Sequence, residues 1–319
     1  MTRRFLLTRL SGALLTLFGV AVLVFVVLRI IPGDEITSIL GIESGNLTEA
    51  QLEALRSYFG LNQPYHEQFF GWLFNVLGGN LGVSMRSGAS VSSLIASALP
   101  VTLELAILSL TLGILLGVPI GVYAATHQGK APDAAAQSFG LIGLAIPNFV
   151  IASFLITLVA ELFNYFPNAA GYAAPWEDLS LNLQQMAFPV ISLGVVLAGS
   201  IMRTTRSAFL EASSEPFVRT ARGKGLSQRR VKWVHVFRNA TIPIVTITGI
   251  QFGYLLGGTV VIEQIFALPG LGRLVYSAIT QREFAVVQST VLVIAAMFVV
   301  VNLLVDLLYA RLDPRITLE

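Results

Sequence analysis

Six stretches of this chain are apolar over the length, about 20 residues, that a helix needs to cross the hydrocarbon core of a bilayer. They are residues 10–28, 105–126, 134–160, 179–202, 239–262 and 284–305. The third carries Pro147-Asn148 in its interior, and the fourth opens on polar Asn182, Gln184 and Gln185, so its span begins near Met186. Charge agrees with this reading. Only 12% of the 319 residues are charged and 55% are hydrophobic, against roughly 25% charged in a soluble domain. So few charges cannot cover a soluble surface, and so much apolar material excludes a disordered chain. A net charge of +2 gives no electrostatic footprint for nucleic acid. Zero Cys and three His leave no disulfide, no thiol chemistry and almost nothing to build a zinc or iron–sulfur site. The chain reads as an all-α polytopic membrane protein with six transmembrane helices.

The N-terminus needs separate treatment. Thr2-Arg3-Arg4-Phe5-Leu6 loosely echoes a twin-arginine signal. The apolar run behind it is longer than a signal core and no small-residue cleavage site follows, only Ile31-Pro32-Gly33-Asp34. It reads as a retained first span. Orientation follows from Lys and Arg in alternate loops. Residues 1–9, 127–133, 203–238 and 311–319 carry 15 of them, whereas the opposite side carries 4: Arg56, Arg86, Arg273 and Arg282. Both termini are therefore expected in the cytoplasm. The organisation is a tail with the first helix (1–31), an outer helical loop (32–98), and a five-helix core (99–319) holding a cytoplasmic loop at 203–240.

The outer loop carries helix punctuation. Thr48-Glu49-Ala50-Gln51 has the form of a capping box. Leu52, Leu55 and Phe59 recur at helical spacing, and Gly60 is placed to stop the helix. Pro64 suits a helix start, with Tyr65, Phe69, Trp72 and Val76 on one face and Gly78-Gly79 at the end. Two readings stand: a cap packed on the outer surface, or a docking surface or gate for an external partner.

The cytoplasmic loop is the most unusual segment. Nine of the twenty basic residues lie between Arg203 and Arg238, against two acids, Glu211 and Glu215. Ser213 or Ser214 is placed to cap a helix, Pro216 suits its first turn, and Gly225 can take the left-handed conformation that ends it. The short helix so bounded has Phe217, Val218 and Ala221 on one side and Arg219, Arg222 and Lys224 elsewhere. Ser227 caps a second helix in which Val231, Trp233, Val234 and Phe237 recur among Arg229, Arg230, Lys232 and Arg238. The basic charge serves lipid headgroups and topology in one reading. In another the short helix is a plug for a cytoplasmic protein; a nucleic-acid role has no module to support it.

The run Phe217-Val218-Arg219-Thr220-Ala221-Arg222-Gly223-Lys224-Gly225-Leu226-Ser227, followed by Arg229-Arg230-Val231 and Phe237-Arg238-Asn239-Ala240, resembles the cytoplasmic signature of ABC-importer permeases. Against the general pattern (Glu-Ala-Ala, three residues, Gly, nine residues, Ile-x-Leu-Pro) only Ala221 and Gly225 match. Arg219, Thr220, His235, Phe237 and Arg238 depart from it. The run instead follows the variant of the dipeptide/oligopeptide/nickel branch. Leu99-Pro100-Val101-Thr102-Leu103-Glu104-Leu105-Ala106, the stretch from Gly257-Gly258-Thr259-Val260-Val261-Ile262-Glu263-Gln264-Ile265-Phe266 to Pro269-Gly270-Leu271-Gly272, and the stretch from Asn302 to Tyr309 with Leu312-Asp313-Pro314-Arg315 resemble the same branch.

The resemblance implies a type I ABC importer permease fold in a bacterial or archaeal inner membrane. It implies a coupling helix through which the ATPase moves the pore, here Glu215, Pro216, Phe217, Val218, Arg219, Thr220, Ala221, Arg222, Lys224, Gly225 and Leu226. The implied partners are a second permease subunit, two cytoplasmic ATP-binding subunits and an external solute-binding protein. This chain has no phosphate-binding Gly-x-x-x-x-Gly-Lys-Ser/Thr loop, so ATP and Mg belong to the partners, and no cofactor or metal is expected here. Di- or oligopeptides are the first expectation for the substrate; nickel chelates, glutathione, opines and oligosaccharides are carried by relatives.

Within the spans, Gly113, Gly117 and Gly121, and again Gly249, Gly253 and Gly257, line one helix face each and permit close packing. Their partner is either this chain or a second subunit across the pore. Polar groups at membrane depth are functional candidates: Asn148 and Gln251 for the pore lining or for helix–helix hydrogen bonds, with Glu104 near the outer edge of the second span. No string of acids crosses the membrane, and His66, His127 and His235 are scattered. A stand-alone ion-coupled secondary transporter and a membrane enzyme are therefore the weaker rivals, and no residue is singled out as catalytic.

Overall fold

The computed structural model describes residues 3–30, 48–58, 60–164 and 171–312. Residues 31–34 and 313–315, and the side chains of Leu55 and Phe59, lie outside the described residues. Twelve helices follow in order among the described residues: α1 (Arg3–Ile30), α2 (Glu49–Tyr58), α3 (Tyr65–Leu77), α4 (Val91–Thr126), α5 (Ala131–Ala145), α6 (Asn148–Phe163), α7 (Leu179–Ser214), α8 (Pro216–Gly223), α9 (Gln228–Gly258), α10 (Val260–Ile265), α11 (Leu271–Thr280) and α12 (Phe284–Leu312). The described residues hold one isolated antiparallel bridge, Val83 with Ser90, and no longer strand.

Five of these helices are long and apolar enough to span: α1, α4, α7, α9 and α12. The sixth expected span is a bent pair of helices rather than one straight helix. Residues 134–160 do not form one helix, because α5 and α6 meet at 93°. The cause is local. Pro147 disfavours the helical region for the residue before it, and Ile146 has left that region at φ −92°, ψ 119°. Counted together, α5 and α6 make the sixth apolar element.

The helices are also longer than the apolar runs. α4 starts at Val91, and α7 starts at Leu179, where the Asp178 carboxylate accepts from the Leu181 N–H at 3.0 Å. The polar start of α7 is structural: Asn182 and Gln185 are buried. Gln185 donates to the Gly171 carbonyl at 2.6 Å and accepts from the Ala173 N–H at 2.9 Å, which holds the loop against the helix.

Contacts divide the chain into two units. One comprises Thr102–Leu268 and the described residues from Val300 onward. At its centre α7 is packed by α5, α6 and α9. The other comprises the described residues up to Val101 with Pro269–Val299. Its core joins Leu28, Val91, Ile95, Leu271, Ala278 and Val287. There α1 meets α3 through Phe25 and Phe69, whose rings are edge-on with centroids 5.2 Å apart. The capping box of α2 is complete, since the Thr48 N–H donates to Gln51 Oε1 at 2.8 Å and the Gln51 N–H to Thr48 Oγ1 at 3.3 Å. Gly60 follows α2 at φ +70°.

Candidate functional site: a capped basic helix seated on three others

The segment after α7 shows how eight residues become a rigid knob. α7 runs on to Ser214, so neither Ser213 nor Ser214 caps α8; their hydroxyls donate back to Phe209 and Glu211 carbonyls at 2.7 Å. Glu215 takes the cap position in an extended conformation, without a capping side-chain bond, and Pro216 opens the helix where its missing N–H costs nothing. The far end closes as a Schellman motif. The Leu226 N–H donates to the Ala221 carbonyl at 3.3 Å and the Gly225 N–H to the Arg222 carbonyl at 2.9 Å. Gly225 sits at φ +76°, where a side chain costs about 1–2 kcal/mol.

The two faces of α8 then separate. Val218 and Ala221 are 1% and 6% exposed. They enter an apolar cluster with Val122 and Ala125 at the end of α4, Phe209 and Ala212 at the end of α7, and Val231, Val236 and Ala240 of α9; Phe217 and Leu226 pack against it. Burying Val218 alone contributes about 1.5–3 kcal/mol. Arg219, Thr220, Arg222 and Lys224 remain exposed.

The second basic helix differs from its expected face. Ser227 does cap it, accepting from the Arg230 N–H at 3.4 Å. The residues Val231–Val236 then form a π-helical turn within α9. The wider turn changes the register: Val231 and Val236 point inward, whereas Trp233 and Val234 are half exposed. Together with Ser227, Arg229 and Arg230 these two line a shallow depression of about 430 Å³ beside α8.

An ion pair holds the same end of this unit. Asp133, in the first turn of α5, is 2% exposed. Its carboxylate accepts from Arg206 of α7 through Nε at 2.5 Å and Nη2 at 2.8 Å, and from the Gly129 N–H at 2.9 Å and Gln137 Nε2 at 3.2 Å. A bidentate pair with its lone pairs filled locks two helices in one geometry. Sequence reading counted Lys130 and Arg206 as loop charge and passed over Asp133, because the partners are 73 positions apart.

The glycine series are placed as follows. A Cβ on Gly113 would lie 2.9 Å from Leu197 Cβ, one on Gly117 2.8 Å from the Ala198 carbonyl oxygen, and one on Gly121 2.6 Å from that of Met202. The α4 series thus touches α7 of this chain. A Cβ on Gly249 would collide with the Val305 methyl groups, Gly253 is buried, and Gly257 faces open space. Gly140, Gly194 and Gly199 complete the close packing around α7 and were not singled out in the sequence: a Cβ on Gly140 would meet Met202 Cε at 2.6 Å.

Asn148 is half-buried at the first residue of α6, beside the bend, and Gln251 is half-buried in α9. The structure does not bring these two into one site with α8. Two further polar sets lie in the same unit. Glu263 is fully buried and accepts from Thr102 Oγ1 at 2.8 Å and Thr259 Oγ1 at 2.9 Å. Tyr172 donates to Glu104 Oε2 at 2.6 Å and accepts from Asn182 Nδ2 at 3.3 Å. Burial first, then the Glu104 carboxylate, pushes the Tyr172 phenol upward, so its hydroxyl remains a donor across the physiological range. His66, His127 and His235 stay apart, and among the described residues no three His or acidic side chains gather to hold a metal ion.

Comparison with known proteins places this geometry. The family described as binding-protein-dependent transport system inner membrane component matches residues 117–318, and its N-terminal model matches residues 1–106. A glutathione transport system permease protein of Salmonella choleraesuis (strain SC-B67) is 39% identical over 98% of both chains. A putative peptide transport system permease protein of Brucella abortus (strain 2308) is 39% identical, again over 98% of both. The inward-facing MetNI methionine ABC transporter matches at TM-score 0.54 and 16% identity over 69% of this chain and 96% of that one, a likeness of fold alone. The chain belongs to the binding-protein-dependent transport system inner membrane components, and within them it is an ABC importer permease of the peptide/nickel branch, a multi-pass inner-membrane transport component.

Proposed function

We propose that this permease forms half of a translocation path and that α8 is its coupling element. Two cytoplasmic ATP-binding subunits, holding ATP and Mg, close on one another and drive α8; a second permease subunit completes the pore; an external solute-binding protein delivers the solute to the outer loops. Both termini lie in the cytoplasm of a bacterial or archaeal cell. The observation that carries the reading is the division of α8. Its inner side is sunk in a cluster made by the ends of α4, α7 and α9, and its basic side is exposed. A push on the exposed face is therefore delivered to three apolar helices at once. Binding along the path is weak, because a pore must release what it admits.

Di- or oligopeptides are the cargo this reading puts first, supported by the Brucella relative and by the branch itself. Glutathione has equal support by identity and is itself a small peptide. Nickel chelates and oligosaccharides are tested beside them. Asn148 and Gln251 are proposed as pore-lining amides, and Gly257, open on its outer side, as a contact for the second permease subunit.

The test is gentle solubilisation, capture of this chain, and identification of its companions by mass. The assembly is then reconstituted and uptake of a dipeptide, glutathione and a nickel chelate is measured with and without ATP. A second permease and ATP-binding subunits, with ATP-dependent uptake, are the expected result. A chain that comes down alone and transports along an ion gradient without ATP overturns the reading in favour of a secondary transporter.

A further inference from the structure

α1 carries its own depth gauge. Its uncharged run, Leu10–Leu28, lies between Arg9 and Arg29 and is about 27 Å long at a helical rise of about 1.5 Å per residue. That length matches a hydrocarbon core of about 30 Å. Leu28 therefore marks one edge of the bilayer, and Phe18, about 15 Å further along, marks its middle. α3 packs between these two levels. The Phe69 ring is edge-on to Phe25 at 5.2 Å and to Phe18 at 6.1 Å. It is buried in one cluster with Ala21, about 10 Å along α1 from Leu28. Beyond it, Leu73, Val76 and Leu77 share a groove of about 470 Å³ with Leu14, Leu17 and Phe18. α3 thus runs from the edge toward the middle of the layer that α1 crosses.

The three sides of α3 suit that depth. Leu73 and Val76 line the groove, whose far wall is α12 and whose one hydroxyl, Ser289, already donates to the Leu81 carbonyl at 2.8 Å. Phe70, Phe74 and Leu77 recur one turn apart on a second side. Phe74 and Leu77 are 69% and 75% exposed, as bare as Leu23 of α1 at 63%. Asn75 lies on the third side, where with Gln63 and Asn80 it bounds a polar space of about 520 Å³. Irregular backbone at membrane depth persists only where it is bonded or lines a wet space, and the turn after α3 is bonded. The N–H groups of Gly78, Gly79 and Asn80 donate to the Phe74, Val76 and Asn75 carbonyls at 2.9, 2.9 and 2.8 Å, with Gly79 at φ +85°. The Val91 N–H closes the return by donating to the Gly82 carbonyl at 2.9 Å.

We propose that α3 is a half-helix sunk in the bilayer, with lipid acyl chains as the partner of its Phe70–Phe74–Leu77 face and of the groove behind it. The sequence pattern offered a cap on the outer surface or a docking surface for an external partner. A contiguous apolar face of this kind marks a protein or a membrane contact, and the depth set by α1 selects the membrane. In the orientation proposed above, the leaflet is the outer one. The claim rests on α1 crossing a bilayer and not on the coupling role of α8, so its failure leaves the importer reading untouched.

The test uses the full-length protein in nanodiscs of phosphatidylcholine and phosphatidylglycerol. The chain has no cysteine, so Phe74→Cys takes a single nitroxide label. Its collisions with oxygen, which concentrates in hydrocarbon, are compared with those of chromium oxalate, which stays in water. Leu23→Cys on α1 is the lipid-facing reference, and Asn62→Cys, on the exposed turn before α3, is the aqueous one. The expected result is that Phe74→Cys behaves as Leu23→Cys does. Its chromium oxalate collisions should fall at least about tenfold below those at Asn62→Cys, because a multiply charged anion is excluded from an apolar layer. Phe74→Asp should lower the unfolding temperature in the nanodisc by at least about 4 °C, while the charge added by Ser57→Glu on α2 leaves it unchanged. Three results overturn the proposal. One is chromium oxalate reaching Phe74→Cys as freely as Asn62→Cys, the mark of a cap in water. Another is exclusion of both colliders, the mark of a face covered by protein. The third is an unfolding temperature indifferent to Phe74→Asp. Should Phe74→Cys not fold, Leu77→Cys on the same face carries the comparison.

Discussion

α2 and α8 are both short helices between apolar elements, both bounded by caps, and they do different things. α2 has the better start, a reciprocal capping box, whereas α8 begins on Glu215 with no capping side chain. Yet Leu52 is the one buried residue among the described side chains of α2, while α8 sinks Val218 and Ala221 into a cluster shared by three long helices. Caps decide where a short helix begins and ends; burial decides whether it moves with its neighbours or on its own. On this account α8 transmits force and α2 does not.

Breaking the buried side of α8 should have the largest effect. Ala221→Glu places a carboxylate in an apolar cluster with no partner, a cost of several kcal/mol unless the helix lifts out. The expected outcome is a chain that still inserts in the membrane but no longer stimulates ATP hydrolysis when solute is added. The matched change on α2, Ser57→Glu at an exposed position, should leave both activities near normal; equal damage from the two would erase the distinction.

Next comes the clamp behind the site. Arg206→Met leaves the buried Asp133 carboxylate uncompensated and should lower stability by about 3–5 kcal/mol, read as a fall in unfolding temperature in detergent. Asp133→Asn with Arg206→Met should recover part of that loss; a double variant no better than the single would show that the pair is not what holds α5 to α7. Smaller still is Gly225→Ile. The left-handed conformation makes a side chain cost about 1–2 kcal/mol, with open space around it, so the loss should appear in ATPase coupling more than in global unfolding. Last, Thr48→Ala removes one half of the α2 box and should cost about 0.5–2 kcal/mol locally, visible as faster amide exchange in α2 with transport unchanged.

The same contrast explains what was legible in the sequence. Local chemistry reads directly: Thr48, Gly60, Ser227 and Gly225 each do what their residue type and neighbours dictate. Errors arose where one local signal overrode another. Ser213 and Ser214 are good caps, but α7 carries on through them and their hydroxyls fold back on the preceding turn. Pro147 was visible, yet only the geometry of Ile146 turns it into a 93° bend. The π-turn moved Trp233 and Val234 off the inner face without any change in composition. Tertiary pairs were illegible for another reason: Asp133 with Arg206, and Thr102 with Glu263 at a separation of 161, have no periodicity to betray them. The exposed basic face of α8 was legible as charge, but charge alone did not separate a lipid contact from a protein contact.

That last distinction is open to direct measurement. The chain has no cysteine, so Arg222→Cys provides a single attachment point on the exposed face of α8 for a short photoreactive crosslinker. In the assembled importer the account predicts one protein adduct, with an ATP-binding subunit, whose yield changes when ATP and vanadate hold that subunit closed. Adducts to lipid alone, or a protein adduct indifferent to nucleotide, would contradict the claim that α8 is where the ATPase takes hold of the permease.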